Sequence, residues 1–180
     1  MVLSTGTNKI KTAVFISGTG SNLKSLIKFS KLEKSPISIN LIITNNKLAK
    51  GLKYSVIFKI KKKILKELKK NKIEFVCLAG FMKILSKNFI KNFKGKILNI
   101  HPSLLPKYKG LDTHRRAIEN KDKYSGCTVH FVNSKLDSGK IILQKKVNIL
   151  KKDTPASLAK KILAQEHKLY PKAILKIFSL

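Results

Sequence analysis

Thr12-Ala13-Val14-Phe15-Ile16-Ser17 runs directly into Gly18-Thr19-Gly20-Ser21-Asn22-Leu23, and the reading of this junction decides the fold. The first six residues are a β-rich apolar block, and the glycines at 18 and 20 let the backbone turn tightly and approach a ligand closely. A helix is expected over Asn22–Phe29, so the junction reads as strand, turn, helix. Free amides and the helix dipole at such a turn favour phosphate. The lysine and spacing of a Walker loop are missing, and Leu23 stands where a dinucleotide fingerprint has its last glycine. On its own residues the turn reads equally well as a tight connection that holds no ligand.

The same alternation continues outward. Further strands are expected at Ile37–Thr44, Glu74–Ala79, Lys96–Ile100, Cys127–Val132 and Ile141–Val147, with helices at Lys61–Lys70 and Ser86–Asn92, the latter opened by a capping serine. Strands separated by helices predict an α/β chain with a mainly parallel sheet and right-handed crossovers. Only the short segment Asn133–Lys140 separates the last two strands, which predicts an antiparallel pair at one side of the sheet. A final helix is expected to open at Thr154-Pro155 and run toward Tyr170.

A chain of 180 residues can bury one substantial core but is short for two enzyme domains, so residues 1–180 are expected to form a single domain. No apolar run is long enough for a bilayer, and Met1–Ile10 lacks the pattern of a secretory signal, so a cytoplasmic location is expected. Cys77 and Cys127 stand far apart and outside any zinc spacing, and both are expected to be buried and inert. The 39 basic residues against 9 acidic ones give a formal charge of +30, a surface that attracts polyanions. The lysines are scattered through every segment without a nucleic-acid motif, so solvated outer faces explain them, while nucleic-acid contact stays open.

In open parallel sheets, chemistry gathers just past the carboxyl ends of the strands. Besides the glycine turn, two such places stand out. In Asn99-Ile100-His101-Pro102-Ser103-Leu104-Leu105-Pro106-Lys107-Tyr108-Lys109-Gly110, the spacing of two puts Asn99 and His101 on one face of a strand end, and the prolines stiffen the loop beyond it. Leu105-Pro106 is a candidate cis bond. In Asn133-Ser134-Lys135-Leu136-Asp137-Ser138-Gly139, Asp137 is either a turn former or, if the loop folds back over His101, the carboxylate that stabilises a protonated imidazole.

Those pieces, with Leu78-Ala79-Gly80-Phe81-Met82-Lys83-Ile84-Leu85-Ser86, Thr113-His114-Arg115, Gly126-Cys127-Thr128-Val129-His130-Phe131-Val132 and Gln165-Glu166-His167, resemble the glycinamide ribonucleotide formyltransferase family in order and spacing from Lys11 to Phe178. The resemblance implies a Rossmann-like, mainly parallel twisted sheet flanked by helices, with antiparallel strands toward the C-terminal end. It also implies transfer of a formyl group from 10-formyltetrahydrofolate, a cosubstrate, to the amine of glycinamide ribonucleotide in purine synthesis, with no metal and no membrane. Asn99, His101 and Asp137 fall on the family's catalytic triplet. Gly20, Ser21 and Asn22 would hold the substrate phosphate, and Glu166 the ribose hydroxyls. Met82, Lys83, Ile84 and Leu85 would line the folate pocket with Asn99 and the run Asn133, Ser134, Lys135, Leu136 and Asp137; ordinary packing is the competing reading for these. His114 and His130 read as supporting residues.

The implied chemistry needs those residue types. An amine attacking a formyl carbon creates a tetrahedral centre with negative oxygen, and each donor aimed at it is worth about 3 to 4 kcal/mol. A proton must also leave the amine and reach the folate nitrogen, which calls for an acid/base group near neutrality. Departures from the family pattern are a compressed stretch between Gly51 and Lys72, short by about a strand, and Lys83, Asn133 and Ser138 in place of the commoner arginine, threonine and glycine. Methionyl-tRNA formyltransferase shares the Asn99-to-Pro106 block and its polyanionic substrate suits the charge, but the Gly18–Asn22 turn resembles the nucleotide enzyme more closely. Formyltetrahydrofolate deformylase is a further relative, and a noncatalytic basic binding protein on the same scaffold is the reading from another class.

Overall fold

Strand β1 (Ile10–Ile16) occupies the middle of the sheet because its side chains are apolar on both faces, and Ala13, Val14, Phe15 and Ile16 are fully buried. A computed structural model describes residues 9–51, 57–59 and 64–178. Among these the chain forms β1, α1 (Ser21–Ser30), β2 (Ile37–Thr44), β3 (Ile57–Lys59), α2 (Ile64–Lys70), β4 (Phe75–Leu78), α3 (Lys87–Asn92) and β5 (Lys96–His101). It then continues through α4 (Thr113–Glu119), β6 (Tyr124–Phe131), β7 (Ile141–Asn148) and α5 (Pro155–Phe178).

The strands lie in one sheet in the order β3-β2-β1-β4-β5-β6-β7. Pairings from β3 to β5 are parallel, while β5–β6 and β6–β7 are antiparallel. This is the expected α/β class. The chain lays β2 and β3 on one side of β1, then crosses to lay β4 and β5 on the other, so the sheet has its topological switch point between β1 and β4.

Each face carries its own core. Helices α1, α4 and α5 cover one face through Leu23, Leu26, Ala117, Leu158, Ile162 and Tyr170, packed on Val14, Cys77, Leu98 and Val129. Helices α2 and α3 cover the other through Leu68 and Phe89, packed on Phe15, Val76 and Ile97. Strand alternation therefore sends Leu98 and Ile100 into the first core and Ile97, with Asn99 and His101 beyond it, toward the second. Cys77 and Cys127 are free and buried, and burial pushes both thiols up to about 12, so neither supplies a thiolate nucleophile.

Several expectations are corrected. No strand was expected between Gly51 and Lys72, where the chain contributes β3, a three-residue edge strand beside β2. Helix α4 was expected only as a motif, since it buries just Thr113 and Ala117 and so lacks an apolar stripe. The expected start of α2 at Lys61 lies outside the described residues. Helix α5 opens where expected, with Thr154 Oγ1 accepting from the Ser157 amide at 3.2 Å, but it runs through Pro171 to Phe178. A proline there removes the donor for the His167 carbonyl, and the Ser25 hydroxyl of α1 donates to that carbonyl at 2.9 Å instead. Among the described residues no helix is long and apolar enough to cross a membrane.

Candidate active site

The switch point opens a cleft of about 870 Å³ between the turn after β1 and the segment after β4. Gly20 has φ +76°, and a β-carbon there would stand 2.6 Å from the Gly51 α-carbon, so glycine is required twice over. The turn is tied to the next one by the Ser17 hydroxyl, which accepts from the Met82 amide at 2.8 Å, and by the Ser17 amide, which donates to the Gly80 carbonyl at 3.0 Å. The Gly18–Asn22 amides and the loop Gly80–Leu85 thus form two walls of one cleft.

The third wall comes from β5 and β6. Their antiparallel register sets Asn99 opposite His130 and His101 opposite Thr128, so the two histidines and the amide share a face. His130 is 2% exposed, and its Nδ1–H donates to the Phe131 carbonyl at 2.8 Å, because a carbonyl can only accept. That leaves Nε2 as an acceptor, 3.2 Å from Asn99 Nδ2, so the Asn99 amide nitrogen faces His130 and one of its two hydrogens remains for the cleft. Burial holds the His130 imidazole below histidine's ordinary range, against smaller opposing pulls from the Phe131 carbonyl and Asp137.

His101, 5% exposed, is oriented from both ends. Its Nε2–H donates to the Tyr108 carbonyl at 2.8 Å, and Nδ1 lies 3.4 Å from Asp137 Oδ2. Asp137 reaches this position from the loop between β6 and β7, with φ +43°, and its Oδ2 accepts from the Gly110 amide at 2.8 Å. Its Oδ1 is 3.8 Å from His130 Nε2. The loop after β5 therefore touches both members of the imidazole–carboxylate pair through its backbone. Thr128 holds that loop from below, donating to the Ser103 carbonyl at 2.6 Å and accepting from the Leu105 amide at 3.1 Å, and the Leu105-Pro106 bond is cis.

At the far end, Asn22 Nδ2 donates to Glu166 Oε2 at 2.7 Å, and burial raises the Glu166 carboxyl above its usual range, opposed by that hydrogen bond. Asn22 Oδ1 is buried without a protein partner. Glu166 lines this end of the cleft, and a carboxylate acceptor there suits a ligand that brings hydroxyl donors. Along the other wall Met82 is 62% and Ile84 78% exposed, beside exposed Leu111 and Leu136, so apolar surface is concentrated on this cleft. Lys83, Leu85, Asn133, Ser134 and Lys135 complete that side.

Every site residue singled out from the sequence lines this one cleft, including Gly20, Ser21 and Glu166. Sequence reasoning missed the backbone groups of Tyr108 and Gly110, while His130, read from the sequence as a supporting residue, stands beside Asn99. The side-chain hydrogen bonds of Thr128 were likewise invisible.

Fold and site together define an α/β enzyme of the open-sheet type, with an imidazole–carboxylate pair at its strand ends and a glycine turn at its switch point. Residues 10–174 match the formyl transferase family model, and the chain belongs to that family. It is 40% identical over 182 residues to phosphoribosylglycinamide formyltransferase of Haemophilus influenzae, covering 91% of this chain and 85% of that protein. It is 41% identical to the human trifunctional purine biosynthetic protein adenosine-3 over 92% of this chain, which spans only 18% of that relative. The crystal structure of phosphoribosylglycinamide formyltransferase from Anaplasma phagocytophilum matches with a TM-score of 0.87 and 43% identity, over 93% of this chain and 85% of that one.

Proposed function

We propose that this chain transfers the formyl group of 10-formyltetrahydrofolate to the amine of glycinamide ribonucleotide, acting in the cytoplasm as a single formyltransferase domain. The observation that carries the reading is the convergence of Asn99, His101 and Asp137 in the cleft that the Gly18–Asn22 turn closes. The ribonucleotide phosphate sits against the amides of Gly20, Ser21 and Asn22, and its ribose hydroxyls donate to Glu166. The flat folate ring packs on Met82, Ile84, Leu85 and Leu136, with Lys83, Asn133, Ser134 and Lys135 at its edge.

As the amine attacks, the formyl oxygen becomes negative and the second Nδ2 hydrogen of Asn99 donates to it, since the first is committed to His130. His101 Nε2 is committed to Tyr108, so Nδ1 is the nitrogen that exchanges a proton in the cleft. Asp137, 3.4 Å away, stabilises the imidazolium that results. The proton lost by the amine then reaches the folate nitrogen as the carbon–nitrogen bond to folate breaks, leaving tetrahydrofolate and the formylated amine.

The test monitors folate absorbance with the purified chain, offering glycinamide ribonucleotide and charged initiator tRNA as rival acceptors. The ribonucleotide should be preferred. His101→Ala should lower kcat by about 100-fold or more and Asn99→Ala by about 100- to 1000-fold. Unchanged turnover in His101→Ala would sink the mechanism, and preference for tRNA would replace the acceptor.

A further inference from the structure

We propose that Asp122 is a positioning residue for the His101–Asp137 pair, acting through the backbone of residues 108–110. This rests on reading that pair as the proton-handling centre. The pair takes two contacts from one short segment: the Tyr108 carbonyl accepts from His101 Nε2, and the Gly110 amide donates to Asp137 Oδ2, both at 2.8 Å. A single shift of this segment would misplace both partners together.

The segment is not held by ordinary secondary structure. Tyr108 has φ +53° and Gly110 φ +79°, left-handed backbone that glycine adopts freely and tyrosine does not, so side-chain contacts must keep residue 108 in place. Arg116 Nη1 donates to the Lys109 carbonyl at 2.8 Å and the Ser103 hydroxyl to the Lys107 carbonyl at 2.6 Å, and the contacts of the Lys107 and Tyr108 side chains meet at Asp122. The Tyr108 hydroxyl donates to its Oδ2 at 2.9 Å, and Lys107 Nζ lies 3.1 Å from its Oδ1. The Arg116 guanidinium stands 5.0 Å from the centre of the Tyr108 ring, closing the clamp from α4.

Asp122 is itself fixed, since its amide donates to the Ala117 carbonyl at 3.0 Å, just past the end of α4. Its carboxylate is 16% exposed whereas the Lys107 ammonium is 65% exposed, so the lysine contact is a solvated ion pair and the tyrosine hydroxyl supplies the directional hold. Neither Asp122 nor the Tyr108 ring touches the cleft. The aromatic ring serves as a lever: its tip is pinned at Asp122 and its backbone end presents the carbonyl to His101.

The experiment compares Asp122→Ala and the lighter Tyr108→Phe with the full wild-type chain, and uses Asp122→Asn as the conservative rescue because an amide oxygen still accepts from tyrosine. Both disruptive variants should lose about tenfold to a hundredfold in kcat, the range that small misplacements of reacting groups produce. KM for either substrate should move by less than about twofold, and the double variant should be no worse than Asp122→Ala alone. Asp122→Asn should recover most of the loss. Independently of turnover, nitrogen-15 shifts of the His101 ring, assigned against His101→Gln, should report hydrogen on Nε2 in the wild type and a mixture of tautomers in Asp122→Ala. Should Asp122→Ala not fold, Tyr108→Phe decides alone. A wild type that transfers no formyl group, with ring signals still altered in the variants, overturns the function and leaves the tether standing. Normal wild-type activity, with kcat and ring signals unmoved in the folded variants, overturns the tether.

Discussion

Burial holds three imidazoles, His130, His114 and His167, below histidine's ordinary 6.5, and the consequence is a stability that depends on acid. Between the folded and ordinary values the unfolded chain binds protons that the folded chain refuses, so stability is complete above about 6.5 and falls as pH drops below it. His167 isolates the effect, because its Nε2 is buried without a partner and it does not line the cleft. The thermal midpoint of the wild type should therefore fall from pH 7.5 to 5.5 more steeply than that of His167→Gln, because the variant loses one of the three pH-linked imidazoles. Parallel curves for the two proteins would refute the assignment. At this scale His101 and Asn99 were legible because they end a strand two residues apart, which places them on one face by alternation alone. Asp137 was legible from its own residues only as one of two alternatives, between which the family resemblance chose. Its approach to His101 depends on how the loop between β6 and β7 folds and on left-handed backbone at Tyr108 and Asp137, conformations that non-glycine residues do not announce.

The elements that sequence reading found are those whose burial is regular. Six strands and the capped starts of α3 and α5 come from pattern and capping chemistry, as the Ser86 hydroxyl accepting from the Phe89 amide at 3.1 Å illustrates. Strand β3 has three residues and α4 only two buried ones, too few for either period to register. The end of α5 was missed because a proline normally stops a helix, and here a neighbouring helix supplies the donor that proline lacks. That substitution of partners makes a prediction about α1 and α5 as a pair. Ser25→Ala leaves the half-buried His167 carbonyl without its donor and should cost about 1 to 2 kcal/mol in urea unfolding. Pro171→Ala restores a backbone N–H at the position that would bond the same carbonyl, so the double variant should recover most of the loss. Additive losses would mean that the hydroxyl and the missing amide act on different groups.

For the molecule as a whole, the strand order was the least legible feature, because it is set by long-range pairing across a crossover and no local signal marks where the chain changes direction. Composition, in contrast, speaks only at this scale. A formal charge of +30 on 180 residues confines many like charges to one surface, and the few acidic groups are partly spent on local anchors. Asp153 is the clearest of these: Lys161 Nζ approaches to 2.6 Å, the Leu150 amide and the Ser157 hydroxyl donate to it, and the carboxyl is held down at about 2. The remaining lysines repel one another in the folded state more than in the expanded unfolded chain, and this repulsion acts over distances that salt screens, with a Debye length of about 10 Å at 0.1 M and about 3 Å at 1 M. Sodium chloride should therefore raise the thermal midpoint steadily from low ionic strength, with most of the gain complete by a few tenths molar as the screening length shortens. Sulfate would confound the measurement by strengthening burial generally, so chloride is the salt to use. A midpoint that stays flat or falls over that range would show that the acidic anchors already balance the surface locally, and that net charge is no burden on this fold.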